Sequence, residues 1–250
     1  MRMTLVKICG NQTPDDIRFA ASVGADFVGI VFAKSNRQVS VTQAHTMMRS
    51  LDEPLESNEF SLPPSVLNDN NSDGTSWFDQ GALVIENYLK IKKPLTVGVF
   101  ADQPIEQINE IVEELGIDLV QFSGSESWSD CLLVTKQVIK VVHVNDASTP
   151  FEIEEKIKLG FSIGLGLDSS SGKYGGGSGE SFDWDIAEHI SGKWPIMLSG
   201  GLNINNVTEA IHKVSPWMVD VSSGTETDGK KDYVLVEKFI NTVHSVDLEV

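Results

Sequence analysis

Apolar residues in this chain follow two alternating patterns. Short runs rich in β-branched and aromatic residues recur along its length, and between them apolar residues return every three or four positions. Period two marks a strand and period 3.6 a helix. The runs predict strands at Leu5–Cys9, Phe27–Phe32, Leu95–Phe100, Leu119–Phe122, Ile139–Val144, Ser162–Asp168, Ile196–Ser199 and Met218–Val221. In TPDDIRFAASVG, Thr13 reads as N-cap, Pro14 as first helical residue, Asp15 and Asp16 as dipole-favoured acids, and Gly24 as the stop. In DQPIEQINEIVEELG, Ile105, Ile108, Ile111, Val112 and Leu115 trace one face, which Gly116 ends.

Strands that each precede a helical stretch predict a parallel sheet closed as a (β/α)8 TIM barrel, a single domain spanning residues 1–250. An open doubly wound sheet is the alternative, but no strand is followed by GxGxxG or GxxxxGK[ST]. Residues 52–93 break the rhythm. Their centre, rich in Pro, Asn, Ser and Asp, predicts a flexible surface insertion after the second βα unit, with a helix at Ala82–Lys90. Trp77 and Phe78 are its candidate anchors to the barrel, or its contacts to a partner.

The formal net charge of -17 argues against a nucleic-acid or anionic-membrane partner, either of which needs a basic patch. An anionic ligand would need local backbone N–H groups and a few basic residues to overcome this field. Two cysteines exclude a disulfide framework and fit a reducing cytoplasm. The opening MRMTLVKICG reads as a strand rather than a leader, and no apolar stretch approaches the ~20 residues that span a membrane. His45, His143, His189, His212 and His244 lack ligand spacing, so no metal is expected.

A TIM barrel gathers its site at the C-terminal ends of its strands. Alternation places Leu5, Lys7 and Cys9 on the inner face of the first strand, with Cys9 uppermost. Free cysteine is most often a small buried hydrophobe. A neighbouring lysine, however, favours a thiolate and makes a reactive role for Cys9 an equal alternative. In SIGLGLD, two glycines leave room beneath Asp168, which is a candidate acid or a loop cap. In WMVDVSSG, Asp220 and Ser222 share the inward face with Met218. Three glycine-rich stretches follow the last three strands: GGGSGESFDW, SGGLN and SSGTETDGKKD. Together on one rim they predict a phosphate site made of backbone N–H groups. Arg37, after the second strand, is placed to hold a carboxylate or phosphate. Cys131 reads as packing or surface in a helix.

VKICG, GADFVGIVF with a following S-x-R, GVF, GGSGESFDW, SGGLNINNV and VDVSSGTETDGKKD, in that order, closely resemble the phosphoribosylanthranilate isomerase family of tryptophan biosynthesis, most of all its stand-alone fungal-type members. The resemblance runs from residue 5 to about 240 and is interrupted at 52–93. It implies a (β/α)8 fold and a cofactor-free Amadori rearrangement of N-(5-phosphoribosyl)anthranilate to 1-(2-carboxyphenylamino)-1-deoxyribulose 5-phosphate, in a monomer or homodimer. By resemblance Cys9 is the general base, Asp168 the general acid and Arg37 the holder of the anthranilate carboxylate. Lys7 and Asp220 complete the substrate site, and Gly177, Ser178, Gly200, Gly201, Ser222, Ser223 and Gly224 line the phosphate site. The chain departs from the family's QLHGxE with Phe122 and Ser123, which is expected to reshape the anthranilate side of the pocket. The related sugar-phosphate isomerase of histidine synthesis carries aspartates at both catalytic positions, so Cys9 argues against it. A barrel that binds a phosphoryl ligand without turnover is the remaining alternative.

Overall fold

The computed structural model describes residues 3–51, 76–145, 147–169 and 183–248. Strands β1 (Leu5–Ile8), β2 (Phe27–Val31), β3 (Leu95–Phe100), β4 (Leu119–Phe122), β5 (Gln137–Val144), β6 (Gly164–Ser169), β7 (Ile196–Leu198) and β8 (Met218–Val221) close into one parallel barrel in chain order. The ring closes where β1 meets β8, with Lys7 opposite Asp220.

Alternation divides each strand between two cores. Inward residues Phe27, Leu95, Val97, Leu119, Ile139, Val141, Met197 and Met218 fill the lumen. Outward residues such as Val6, Ile8, Val28, Ile30, Val120 and Leu165 meet the helices. Each fully buried aliphatic or aromatic side chain of this kind contributes about 1.5–3 kcal/mol, so a one-residue register slip would forfeit both cores at once.

The outer layer is formed by α1 (Pro14–Ser22), α2 (Val41–Met48), α4 (Ile105–Leu115), α5 (Pro150–Lys156), α6 (Trp184–Ser191), α7 (Val207–Val214) and α8 (Tyr233–Leu248), while α3 (Trp77–Ile91) has a separate place. Thr13 and Asp16 form a reciprocal capping box on α1, and α4 ends at left-handed Gly116 with φ 66°. After β4 the chain makes only a 3₁₀ turn, Trp128–Leu133, where a barrel helix would stand. Cys131 is buried beneath this turn, and burial pushes its thiol up to about 12, which leaves it inert.

The stretch expected as a flexible insertion divides in two. Residues 52–75 lie outside the described residues, and Trp77–Ile91 forms α3, five residues longer at its start than predicted. The helix lies against the N-terminal end of the barrel. Trp77 Nε1–H donates to the Ser162 carbonyl at 2.8 Å, and Trp217 Nε1–H donates to Glu86 at 3.0 Å. Ala82, Ile85 and Tyr88 join the luminal core, and Phe78 packs edge-on against Trp194 at 6.2 Å. A Cβ at position 81 would lie 1.9 Å from the Ile163 carbonyl oxygen, so Gly81 permits the close approach. Trp77 and Phe78 are thus anchors to the barrel, and α3 is its floor. No described helix is long and apolar enough to cross a membrane.

Candidate active site

The floor of the site is a buried ion pair. Lys7 is fully buried, and its Nζ lies 3.0 Å from Asp220 Oδ1; Asp220 Oδ2 accepts from Ser199 Oγ at 3.3 Å. Adjacent strands in register build the pair, with no loop involved. Burial alone would lower the lysine's pKa, but Asp220 and Cys9 outweigh it and hold Lys7 above its ordinary value.

Cys9 follows β1 and stands one layer above Lys7, packed with Val31, Ala33 and Val99 and 7% exposed. Two glycines make this position possible. A Cβ on Gly29 of β2 would lie 2.7 Å from Cys9 Sγ. Gly10, with φ 76°, lets Arg37 and Ser222 close over the end of β1; a Cβ there would lie 2.5 Å from Arg37 Cδ. Burial of the Cys9 thiol outweighs the downward pull of Lys7, which acts as expected. Burial raises the Cys9 pKa above its ordinary 9.0, and the lowering by Lys7 is opposed by Asp220. The lysine's charge is already committed to its salt bridge. The resting group is a thiol.

Asp168 is the inward residue near the top of β6, three places from β1 around the ring through β8 and β7. Its Oδ1 is buried and has no hydrogen-bond partner among the described residues. Burial pushes its pKa up to about 6; His143 pulls it down, Asp220 adds to the rise, and the Ser169 N–H and Lys7 pull it down further. A carboxyl that keeps its proton this close to neutrality is suited to act as an acid.

Arg37 is held by a residue that the sequence reading passed over. Its Nε and Nη2 donate to Glu226 at 2.7 and 2.8 Å, a bidentate fork. These bonds raise the arginine's pKa. Lys231 Nζ reaches the same carboxylate at 3.1 Å and also donates to the Ser222 carbonyl at 2.9 Å. Burial alone would raise Glu226, but its two cations hold it below its ordinary value. Glu226 and Lys231 come from a two-stranded ribbon, β9 (Glu226–Thr227) with β10 (Lys230–Lys231), turned by Asp228 and Gly229, both at positive φ. The signal was the Asp-Gly pair in TETDGKK, a hairpin cue inside what reads as a glycine loop.

The phosphate loops converge in part. Gly200 and Gly201 adopt φ 91° and 68° directly after β7, and a Cβ at Gly200 would meet Ser169 N at 2.7 Å and Asp168 Oδ1 at 2.9 Å. Asn203 bridges Gly224, joining the loops after β7 and β8, and Ser222 and Ser223 lie on this second loop. Gly177 and Ser178 fall outside the described residues. Of the two departures at the end of β4, only Ser123 bears on the site. Phe122 points outward into the helix-side core, fully buried, with Lys140 Nζ 5.9 Å from its ring centroid. The expectation that it reshapes the pocket is corrected by strand parity. No cluster of three or more His, Cys, Asp or Glu able to hold a metal occurs among the described residues.

A sequence model of N-(5'-phosphoribosyl)anthranilate isomerase matches residues 66–242. The chain belongs to the phosphoribosylanthranilate isomerase family. An isomerase of this name from Dehalococcoides mccartyi is 35% identical over 98% of both chains. A multifunctional tryptophan biosynthesis protein of Phycomyces blakesleeanus is also 35% identical, covering 99% of this chain and 34% of that one. The phosphoribosyl anthranilate isomerase structure from Thermotoga maritima superposes with TM-score 0.71 at 29% identity, covering 97% of this chain and all of that one. Another isomerase structure, holding reduced 1-(o-carboxyphenylamino)-1-deoxyribulose 5-phosphate, gives TM-score 0.68 at 28% identity. The full-length match and the family model together make this chain an isomerase of tryptophan biosynthesis.

Proposed function

We infer that Cys9 and Asp168 divide the proton transfers of the Amadori rearrangement of N-(5-phosphoribosyl)anthranilate. Asp168, protonated, donates to the ribose ring oxygen; the C1–O bond breaks and the anthranilate nitrogen supplies the electrons for a Schiff base. Cys9, as thiolate, then removes the proton from C2, and the electron pair moves to give an enolamine that tautomerises to the ketone. Atoms balance, since the proton taken at C2 replaces the one given at the ring oxygen. The observation that carries this reading is a thiol and a carboxyl raised to about 6, one of its oxygens buried without a partner among the described residues, on the inner rim of one barrel.

Lys7 acts by fixing Asp220, because its ammonium is fully buried and spent on that carboxylate. Asp220 is then the group left to face the substrate's hydroxyls. Arg37 receives the anthranilate carboxylate by exchanging or sharing its fork with Glu226. Gly200, Gly201, Ser222, Ser223 and Gly224, with Gly177 and Ser178, take the phosphate. The binding-without-turnover reading has only Ser123 in its favour. Two buried free thiols suit a reducing cytoplasm, and the working unit is a monomer or homodimer.

Single-turnover fluorescence with phosphoribosylanthranilate tests these roles. Cys9→Ser should bind substrate yet turn over at least ~100-fold more slowly, the usual scale for loss of a general base. Asp168→Asn should bind and leave the ring closed. Near-normal turnover in either variant sinks the assignment.

A further inference from the structure

His143 occupies the β5 position that pairs directly with Asp168 on β6. Strand parity puts it on the inner face, above Val141 and Ile139 of the luminal core. Its Nε2 lies 2.8 Å from the carbonyl oxygen of Ser123. A carbonyl only accepts, so Nε2 carries the proton of this bond, and Nδ1 is the ring nitrogen left over. That Nδ1 is buried and has no partner among the described residues. The same is true of Oδ1 of Asp168. Two buried polar atoms without partners on adjacent strands form an uncommon arrangement, because leaving even one such atom unsatisfied costs about 1–3 kcal/mol.

We propose that His143 is a positioning residue for the catalytic acid: anchored through Nε2 on the Ser123 carbonyl, it sets the proton occupancy of Asp168 from the neighbouring strand. This rests on the acid role given to Asp168 above. Three charged or titratable side chains act most on Asp168. His143 on β5 and Lys7 on β1 favour its ionised form, and Asp220 on β8 disfavours it. Lys7 and Asp220 largely cancel each other through their salt bridge. His143 has no such offset, and it is the neighbour that most lowers Asp168. The small Ser123 leaves its backbone carbonyl to orient the ring, while its own Oγ accepts from Gln121 at 2.9 Å.

The test is the pH profile of kcat/KM in His143→Gln and His143→Asn, with melting curves to confirm folding. Gln keeps a donor for the Ser123 carbonyl and loses the imidazole with its second nitrogen. Asn loses the Ser123 bond as well. If His143 tunes Asp168, both variants move the acid limb to higher pH by on the order of one unit; His143→Gln decides, and His143→Asn decides only where the Gln variant does not fold. A His143→Gln limb that stays where the wild-type limb lies, with only His143→Asn impaired, would reduce the histidine to a tie between β4 and β5 and overturn the proposal. The acid role itself fails separately, if Asp168→Asn retains full single-turnover activity.

Discussion

Titrating kcat/KM between about pH 5 and pH 10 reads the protonation of the free enzyme's essential groups. Asp168 is pushed up to about 6, and Cys9 lies above 9.0. The rearrangement needs the opposite of the resting state at both: a protonated carboxyl and an ionised thiol. With at least ~3 units between the two values, the competent form is at most about one molecule in a thousand. That fraction is constant between the two values, because the competent and resting forms hold the same number of protons. The profile should therefore rise through about pH 6 as the site loses its first proton, stay level, and fall only above pH 9. A kcat of ~10 s⁻¹ then asks the competent form for a microscopic rate of about 10⁴ s⁻¹, well within reach of proton transfer. The assay is decay of substrate fluorescence at concentrations below KM. Cys9→Ser should abolish the alkaline limb together with most of the rate. A wild-type alkaline limb between about pH 7 and 8 would refute the reasoning, since it would mean that Lys7 does activate the thiol despite its salt bridge.

The same buried carboxyl makes the site costly to hold folded. Asp168 has a folded pKa raised from 3.8 to about 6, so the penalty is absent below pH 4 and complete above pH 6. Asp168→Asn should therefore gain up to about 3 kcal/mol at pH 8 and almost nothing at pH 4 by urea unfolding; equal gains at both would exclude the linkage. Gly29→Ala places a Cβ 2.7 Å from Cys9 Sγ, and should cut kcat at least ~10-fold, by misplacement of the base, with little change in melting temperature. Phe78→Ala should cost about 3–5 kcal/mol of stability and leave kcat of the folded enzyme unchanged, because α3 lies at the opposite end of the barrel from the site. Arg37→Lys cannot reproduce the fork on a planar carboxylate, so KM should rise ~10-fold or more while kcat changes less; a kcat loss with unchanged KM would place Arg37 in the chemistry instead.

Period and punctuation made most of the fold legible before any coordinate. All eight strands fall within three residues of their expected limits, because a strand buried on both faces announces itself as an unbroken apolar run. Helix α1 begins at the proline after its threonine cap, and α4 ends at its glycine. The missing helix after β4 was less legible. WSDCLL carries the start signal of a helix, with Ser127 and Asp130 in reciprocal capping, and stops after six residues. The place of α3 could not be read locally, since an amphipathic helix shows that it has a buried face and not which core that face meets. At the site, alternation placed Lys7, Cys9, Asp168 and Asp220 on one inner surface. It could not reveal that Lys7 is spent on Asp220 or that Arg37 is gripped by Glu226, because both pairs join residues some two hundred positions apart.

These pairs bear on how so acidic a chain accepts an anionic substrate. A net charge of -17 repels a phosphate and a carboxylate at long range, and screening shortens that repulsion to about 8 Å at physiological salt. Inside that distance the described rim holds Lys7, Arg37 and Lys231 against Asp220 and Glu226. Around the single Glu226 carboxylate Arg37 and Lys231 keep one positive charge in excess, which an ionised Asp168 elsewhere on the rim offsets. Glu226 therefore does more than neutralise. It keeps the guanidinium desolvated and in the plane of a carboxylate before substrate arrives, so the reorganisation that normally accompanies recruitment of an arginine is already complete. The backbone N–H groups of the glycine loops bring partial positive charge without a counter-ion of their own. Specificity for an anion then arises from an interior arranged in advance, and the acidic exterior sets only the rate of encounter.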